Sequence, residues 1–220
     1  MSKIRTVEIG QIESYTNNVN LDSPKFKEKF IKNIERIIRS SDEYRTYIKF
    51  LKEYVDMTKC AFFNGITSVD KRKIHIEIHH APLTLFEIVM IVVDKWILEG
   101  IPINDLLIAD EVMRIHFANK VGLIPLSKTV HQLVHSENPV VIPLYMIYGS
   151  YTDFLKEYQD YILDDRIFEK LQYAIQQTKS LAPDSFDMLN PEFIYIKSDS
   201  AEYAKIIEKD DENADRTGDN

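Results

Sequence analysis

The sequence is poor in residues that several protein classes require. It has one cysteine, six glycines and one tryptophan in 220 residues, so a disulfide framework is excluded. Neither a secretory signal pattern nor a phosphate-binding glycine-rich loop is found. The most apolar run, Leu83 to Leu98, is interrupted by Glu87, Asp94 and Lys95 and is too short to span a membrane. We therefore expect a cytoplasmic protein with no membrane partner.

Basic residues are outnumbered by acidic residues over the whole chain. The chain has 35 acidic and 27 basic residues and a net charge of −8, which opposes binding to the phosphate backbone of nucleic acids. Much of the negative charge lies in the tail, residues 208–220, which contains few apolar residues and is predicted to be disordered. The remainder of the chain is closer to neutral, and its basic residues are concentrated near the N-terminus.

A basic stripe follows the first predicted helix. Pro24 at the first helical position, after Asp22 or Ser23 as N-cap, predicts a helix to about Ser40. Five basic residues lie opposite its apolar face: Lys25, Lys29, Lys32, Arg36 and Arg39. A second basic run stands before the first histidines: Lys71, Arg72 and Lys73. Both groups are either solvated charges or contacts to DNA phosphates.

All six histidines lie between His75 and His135. An alternating β-branched stretch predicts a strand that ends at the pair His79 and His80, whose side chains should point to opposite faces. His131 and His135 are four residues apart in a segment that Ser127 or Thr129 can cap, so both imidazoles should share one helical face. Two helical imidazoles and one from the strand pair can hold a metal ion and leave coordination positions open.

This arrangement resembles the HNH, or His-Me finger, endonucleases, most closely those of bacteriophages. Two stretches carry the resemblance, which covers residues 58–136: Ile76-Glu77-Ile78-His79-His80 and Val121-Gly122-Leu123-Ile124-Pro125-Leu126-Ser127-Lys128-Thr129-Val130-His131-Gln132-Leu133-Val134-His135. The resemblance implies a ββα-metal core in which His79, His131 and His135 bind one divalent ion, Mg²⁺, Mn²⁺, Zn²⁺ or Ni²⁺. It also implies that His80 is the general base of DNA hydrolysis.

Two positions depart from the family pattern. The paired cysteines that hold a structural zinc in many members are missing, since Cys60 is the only cysteine. Gly122 falls near the place of the motif asparagine that orients the base. We therefore expect no structural zinc, and Gly122 favours the alternative of a catalytically impaired scaffold that binds DNA or other phage proteins. In a third interpretation the histidines pack separately.

The segments around this core are predicted to be helical. The expected division is residues 1–57 for an arm and a basic helical hairpin, 58–138 for the metal core, 139–207 for a helical region and 208–220 for the tail. A helical insertion, 84–118, separates the two strands and starts with the capping box of Thr84 and Glu87. His116 in this insertion is expected at the surface or behind the metal ligands. The predicted fold class is α+β and mostly α.

Overall fold

The computed structural model describes residues 21, 23–63, 66, 74–136 and 139–181. Within these residues the protein is mostly helical, with one antiparallel sheet of two strands. The elements in chain order are α1 (Pro24–Ser40), α2 (Asp42–Glu53), β1 (Ile76–His80), α3 (Leu85–Leu98), α4 (Asp105–Phe117), β2 (Leu123–Ser127), α5 (Lys128–Val134), α6 (Tyr151–Tyr158) and α7 (Asp165–Leu181).

Local capping groups start the helices where the sequence predicts. Pro24 occupies the first turn of α1. Thr84 and Glu87 form a complete capping box at the start of α3, and the Asn104 side chain accepts hydrogen bonds from two backbone N–H groups of α4. Ser127 caps α5 by accepting from Val130. Each cap satisfies backbone donors that a helix leaves unpaired at its N-terminus.

The small sheet and α5 form a ββα unit. β1 and β2 pair from Ile76 opposite Ser127 to His80 opposite Leu123, and α5 follows β2 without a loop. A separate cluster of buried residues lies between these elements: Cys60, Ile76, Ala81, Ile124, Leu126 and Val130. This core is small, and Leu123 of β2 belongs to a larger cluster of buried residues.

The larger core is helical. α1 and α2 pack against α3 and α4, which form the predicted insertion between the two strands, and α6 packs on α3. The α1 side of this core consists of Ile31, Ile34 and Ile38, which lie on one face of the helix. An ion pair between Lys27 and the buried Asp94 links α1 to α3. The N-terminal hairpin and the insertion therefore share one hydrophobic core.

Gly122 has a structural reason to be glycine. A Cβ atom at this position would lie 1.9 Å from the carbonyl oxygen of Ala81, which immediately follows β1. The Gly122 carbonyl also accepts the Ala81 N–H at 3.0 Å. No side chain, including asparagine, fits between these backbones, because the contact is with a main-chain atom that cannot turn away.

Several predicted boundaries need correction. The helical hairpin was assigned up to residue 57, but its second helix ends at Glu53. Near the start of the predicted metal core, Ala61 and Phe62 form a bend, and the Ala61 N–H donates to the Pro125 carbonyl of β2. The acidic tail, residues 208–220, and nearly all of the N-terminal arm lie outside the described residues. No helix within the described part of the chain is long and apolar enough to cross a membrane.

Candidate metal centre

The ββα unit brings three histidines together. His79 on β1 faces His131 on α5 and His135 at the end of this helix, with ring centroids 4.9 and 5.1 Å away, and the two helical rings are 4.9 Å apart. One ring nitrogen from each residue lies within 4.8 Å of the other two. These three residues are called the outer cluster. They are the metal ligands predicted from the sequence.

Glu77 fixes the orientation of one ligand. It lies two residues before His79 on β1, so both side chains leave the same face of the strand. The Glu77 carboxylate is 2.5 Å from Nδ1 of His131, which makes Nδ1 the protonated nitrogen and leaves the Nε2 lone pair directed toward His135. A carboxylate behind an imidazole is the usual support of a metal-binding histidine.

The nitrogen spacing suits a tetrahedral ion. Nε2 of His131 and Nε2 of His135 are 3.3 Å apart. Two ligands at the usual Zn–N distance and a tetrahedral angle are separated by roughly 3.4 Å. The two helical histidines thus already stand at the separation that one edge of a zinc site requires.

His79 is the least exposed member of the outer cluster, with 9% of its surface accessible. Its burial, with smaller contributions from the nearby His131 and His135, lowers the pKa of His79 to about 4. The ring is therefore neutral near pH 7, which is the form that binds a metal.

His80 lies in a different environment. It is only 5% exposed, and its Nε2 is 3.0 Å from Nε2 of His116 on α4, which is fully buried. Nδ1 of His116 donates to the Val112 carbonyl at 2.7 Å, so Nε2 of His116 must accept the proton that Nε2 of His80 donates. His80 and His116 are called the inner pair below.

Aromatic rings pack against the inner pair. The Tyr44 ring stacks on His80 with centroids 6.4 Å apart, and the Tyr47 ring meets His116 edge-on at 5.4 Å. Burial lowers the pKa of His80 well below its ordinary value and the pKa of His116 to about 4. His80 is the predicted general base, but its Nε2 is already hydrogen-bonded to His116 inside the protein. His116 was expected at the surface or behind the metal ligands, and it is instead fully buried.

The predicted DNA-binding residues of α1 lie on the exposed face of this helix. All five basic residues of the α1 stripe are exposed, and two of them pair with acids on the same helix, Lys32 with Glu28 and Arg39 with Glu35. Lys71, Arg72 and Lys73 lie outside the described residues. The solvated-face interpretation accounts for these ion pairs, and contact with DNA stays a prediction.

Two residues of the site were missed or misplaced by the sequence analysis. Glu77 was quoted only as part of the strand, although its place two residues before His79 signals a shared face. His116 was noted on α4, but its distance of 36 residues from His80 gave no sign that the two rings meet. Strand periodicity could have placed Glu77 on the face of His79, whereas the contact between His80 and His116 depends on how α4 packs.

Comparison with known proteins gives the family. The model of the bacteriophage G278-like virion protein family matches residues 2–212, which includes the whole segment that suggested an HNH endonuclease. No curated protein and no solved structure matches the chain. The assignment to the HNH endonucleases was wrong, because the family found over this segment is one of virion proteins and no HNH family is found. This chain is a member of the bacteriophage G278-like virion protein family.

Proposed function

We propose that this virion protein is a structural and interaction component of the phage particle that holds one divalent transition-metal ion in its ββα unit. The ligands are His79, His131 and His135. The observation that carries the proposal is the convergence of three histidine nitrogens within 4.8 Å, with Glu77 orienting one of them. Neutral imidazoles suit Zn²⁺ or Ni²⁺ and not Mg²⁺, which prefers oxygen ligands.

The ion would act as a staple. His79 belongs to β1, whereas His131 and His135 belong to α5 and its end, so a shared ion ties the helix to the strand. The hydrophobic cluster beneath them is small, and small units commonly gain stability from a structural metal. Three protein ligands leave one tetrahedral position for a further group.

Metal analysis tests this proposal. The full-length protein is stripped with a chelator, and Zn²⁺, Ni²⁺, Mn²⁺ and Mg²⁺ are titrated by calorimetry, with bound metal counted by mass spectrometry. We expect one Zn²⁺ or Ni²⁺ per chain, and at a hundredfold excess over Kd a gain of about 2.7 kcal/mol in the free energy of unfolding.

A matched histidine supplies the control. His75 is exposed and precedes β1, and it is not a member of the outer cluster. We expect His75→Ala to bind metal as the wild type does and His135→Ala to lose most of its affinity. Equal losses in the two variants, or no bound metal in the wild type, would overturn the proposal.

A further inference from the structure

A pocket opens beside the outer cluster, with a volume of about 270 Å³, near the low end for small-ligand sites. His79, His80 and His135 line it, whereas His131 does not. The pocket therefore lies along the His79–His135 edge of the metal centre, away from the side that Glu77 occupies. A group in the pocket is within reach of the coordination position that three histidines leave open.

The walls of the pocket are mainly aliphatic. They include Ala81, Pro82, Val134, Val140, Ile142 and Ala174. Tyr173 on α7 adds one aromatic ring. Walls of this kind favour a small branched hydrocarbon group, because burying it removes apolar surface from water on both sides.

The charge of the metal centre indicates which polar group the ligand should carry. Lys170 also lines the pocket, but its Nζ is 2.9 and 2.7 Å from the two carboxylate oxygens of Glu87, so this cation is already matched. Three neutral imidazoles, with the Glu77 carboxylate behind one of them, would leave the charge of a bound divalent ion only partly compensated. An anionic oxygen ligand would offset that charge.

We infer that the pocket binds an aliphatic carboxylate, whose oxygen completes the metal coordination while its hydrocarbon part fills the aliphatic walls. This inference rests on the proposed metal centre. Two sources have this chemistry: a free small acid, or the C-terminal carboxylate of another virion protein that ends in an aliphatic residue.

The test uses Co²⁺ in full-length protein, because the visible spectrum of Co²⁺ reports its coordination. Isovalerate, acetate and neutral isovaleramide are titrated into the Co²⁺-loaded protein. We expect isovalerate to change the spectrum at roughly sixtyfold lower concentration than acetate, since it has three further carbons and each buried carbon contributes roughly fourfold. The amide should leave the spectrum unchanged.

Two tyrosines of similar exposure give a matched pair of variants. Tyr173 lines the pocket and is 51% exposed, whereas Tyr145 is 45% exposed and does not line it. Tyr173→Ala should weaken isovalerate binding about threefold to tenfold, with Co²⁺ affinity unchanged, and Tyr145→Ala should weaken neither. A dipeptide, N-acetyl-Ala-Leu with a free carboxylate, separates the sources: tighter binding than isovalerate indicates a protein C-terminus, and weaker binding a small acid.

The outcomes separate this inference from the proposal beneath it. Co²⁺ binding without any response to isovalerate, or an equal response to isovalerate and acetate, overturns the carboxylate pocket and leaves the metal centre standing. Equal effects of Tyr173→Ala and Tyr145→Ala also overturn the pocket. Failure to bind Co²⁺ and Zn²⁺ overturns both.

Discussion

His79 and His80 are neighbours in the chain, but their rings belong to two histidine groups with opposite surroundings. The outer cluster stands at the protein surface, with His135 exposed and a carboxylate behind His131. The inner pair is buried against tyrosine rings, with one hydrogen bond between its two rings and one from His116 to a backbone carbonyl. Strand alternation separates the two rings, and the packing on either face gives each group its chemistry.

This difference distinguishes a binding site from a structural contact. A group that binds a metal needs free lone pairs, solvent access and an oriented tautomer, and the outer cluster has these features. A buried polar pair needs hydrogen-bond partners inside the protein, and the inner pair has one such bond between its rings and one to a backbone carbonyl. Substitutions in the two groups should therefore affect different measurements.

The largest expected effect is on metal affinity. His131→Ala removes one of three ligands from a site of the kind that contributes roughly 10 to 16 kcal/mol, so Zn²⁺ affinity should fall about a thousandfold, or about 4 kcal/mol. The metal-free protein should keep its stability within about 0.5 kcal/mol, because the side chain is only partly buried. Calorimetric titration and urea denaturation with chelator measure the two quantities. Retained affinity would remove His131 from the ligand set.

The second effect is on folding stability. His116→Ala opens a cavity and leaves Nε2 of His80 without its acceptor, so the free energy of unfolding should fall by roughly 3 to 4 kcal/mol. Replacing both His80 and His116 by leucine removes the orphaned donor as well and should recover part of this loss. Urea denaturation of the metal-free variants measures both changes. If His116→Ala loses less free energy of unfolding than the double variant does, the two histidines are not a hydrogen-bonded unit.

Acid should weaken the fold through the inner pair. The pKa of His116 is lowered to about 4 in the folded protein, mainly by burial, against an ordinary value of 6.5. The unfolded chain therefore binds the proton more readily, and stability from this group is full above pH 6.5 and is lost as the pH falls toward 4. The charged or titratable groups around it are His80, Tyr44, Tyr47 and, at longer range, Arg39.

The expected size of this acid effect is about 3 kcal/mol at most. It is obtained by measuring the free energy of unfolding between pH 7 and pH 4.5 in the metal-free wild type and in the double leucine variant of His80 and His116. The wild type should lose more stability than the variant over this interval. Parallel curves would show that the inner pair carries no proton-linked stability.

The smallest of these effects tests the support behind the outer cluster. Glu77→Gln keeps an acceptor for Nδ1 of His131 but removes its charge, so Zn²⁺ affinity should fall about tenfold to a hundredfold, or about 2 kcal/mol. Stability of the metal-free protein should be nearly unchanged, because Glu77 is partly exposed. His75→Ala serves as the reference that should alter neither quantity. An unaltered affinity in Glu77→Gln would mean that the carboxylate does not prepare His131 for the metal.

The failure of the family assignment has a local cause. The strand ending in His79 and His80 and the helix with His131 were correctly predicted, and the three expected ligands do converge. A short local motif, however, is compatible with more than one family, because function belongs to the whole site and its surroundings. The position of Gly122 illustrates this point: backbone contact with Ala81 requires a glycine there, whatever chemistry the neighbouring histidines perform.

The sequence by itself determined the helix starts at Pro24, Thr84 and Asn104 and the alternating strand that ends at His80, because caps and side-chain periodicity act over a few residues. Only the tertiary structure decided that His116 meets His80, that Glu77 meets His131 and that a pocket adjoins His79 and His135. These contacts join residues far apart in the chain. They depend on how whole elements pack, and no local pattern encodes that packing.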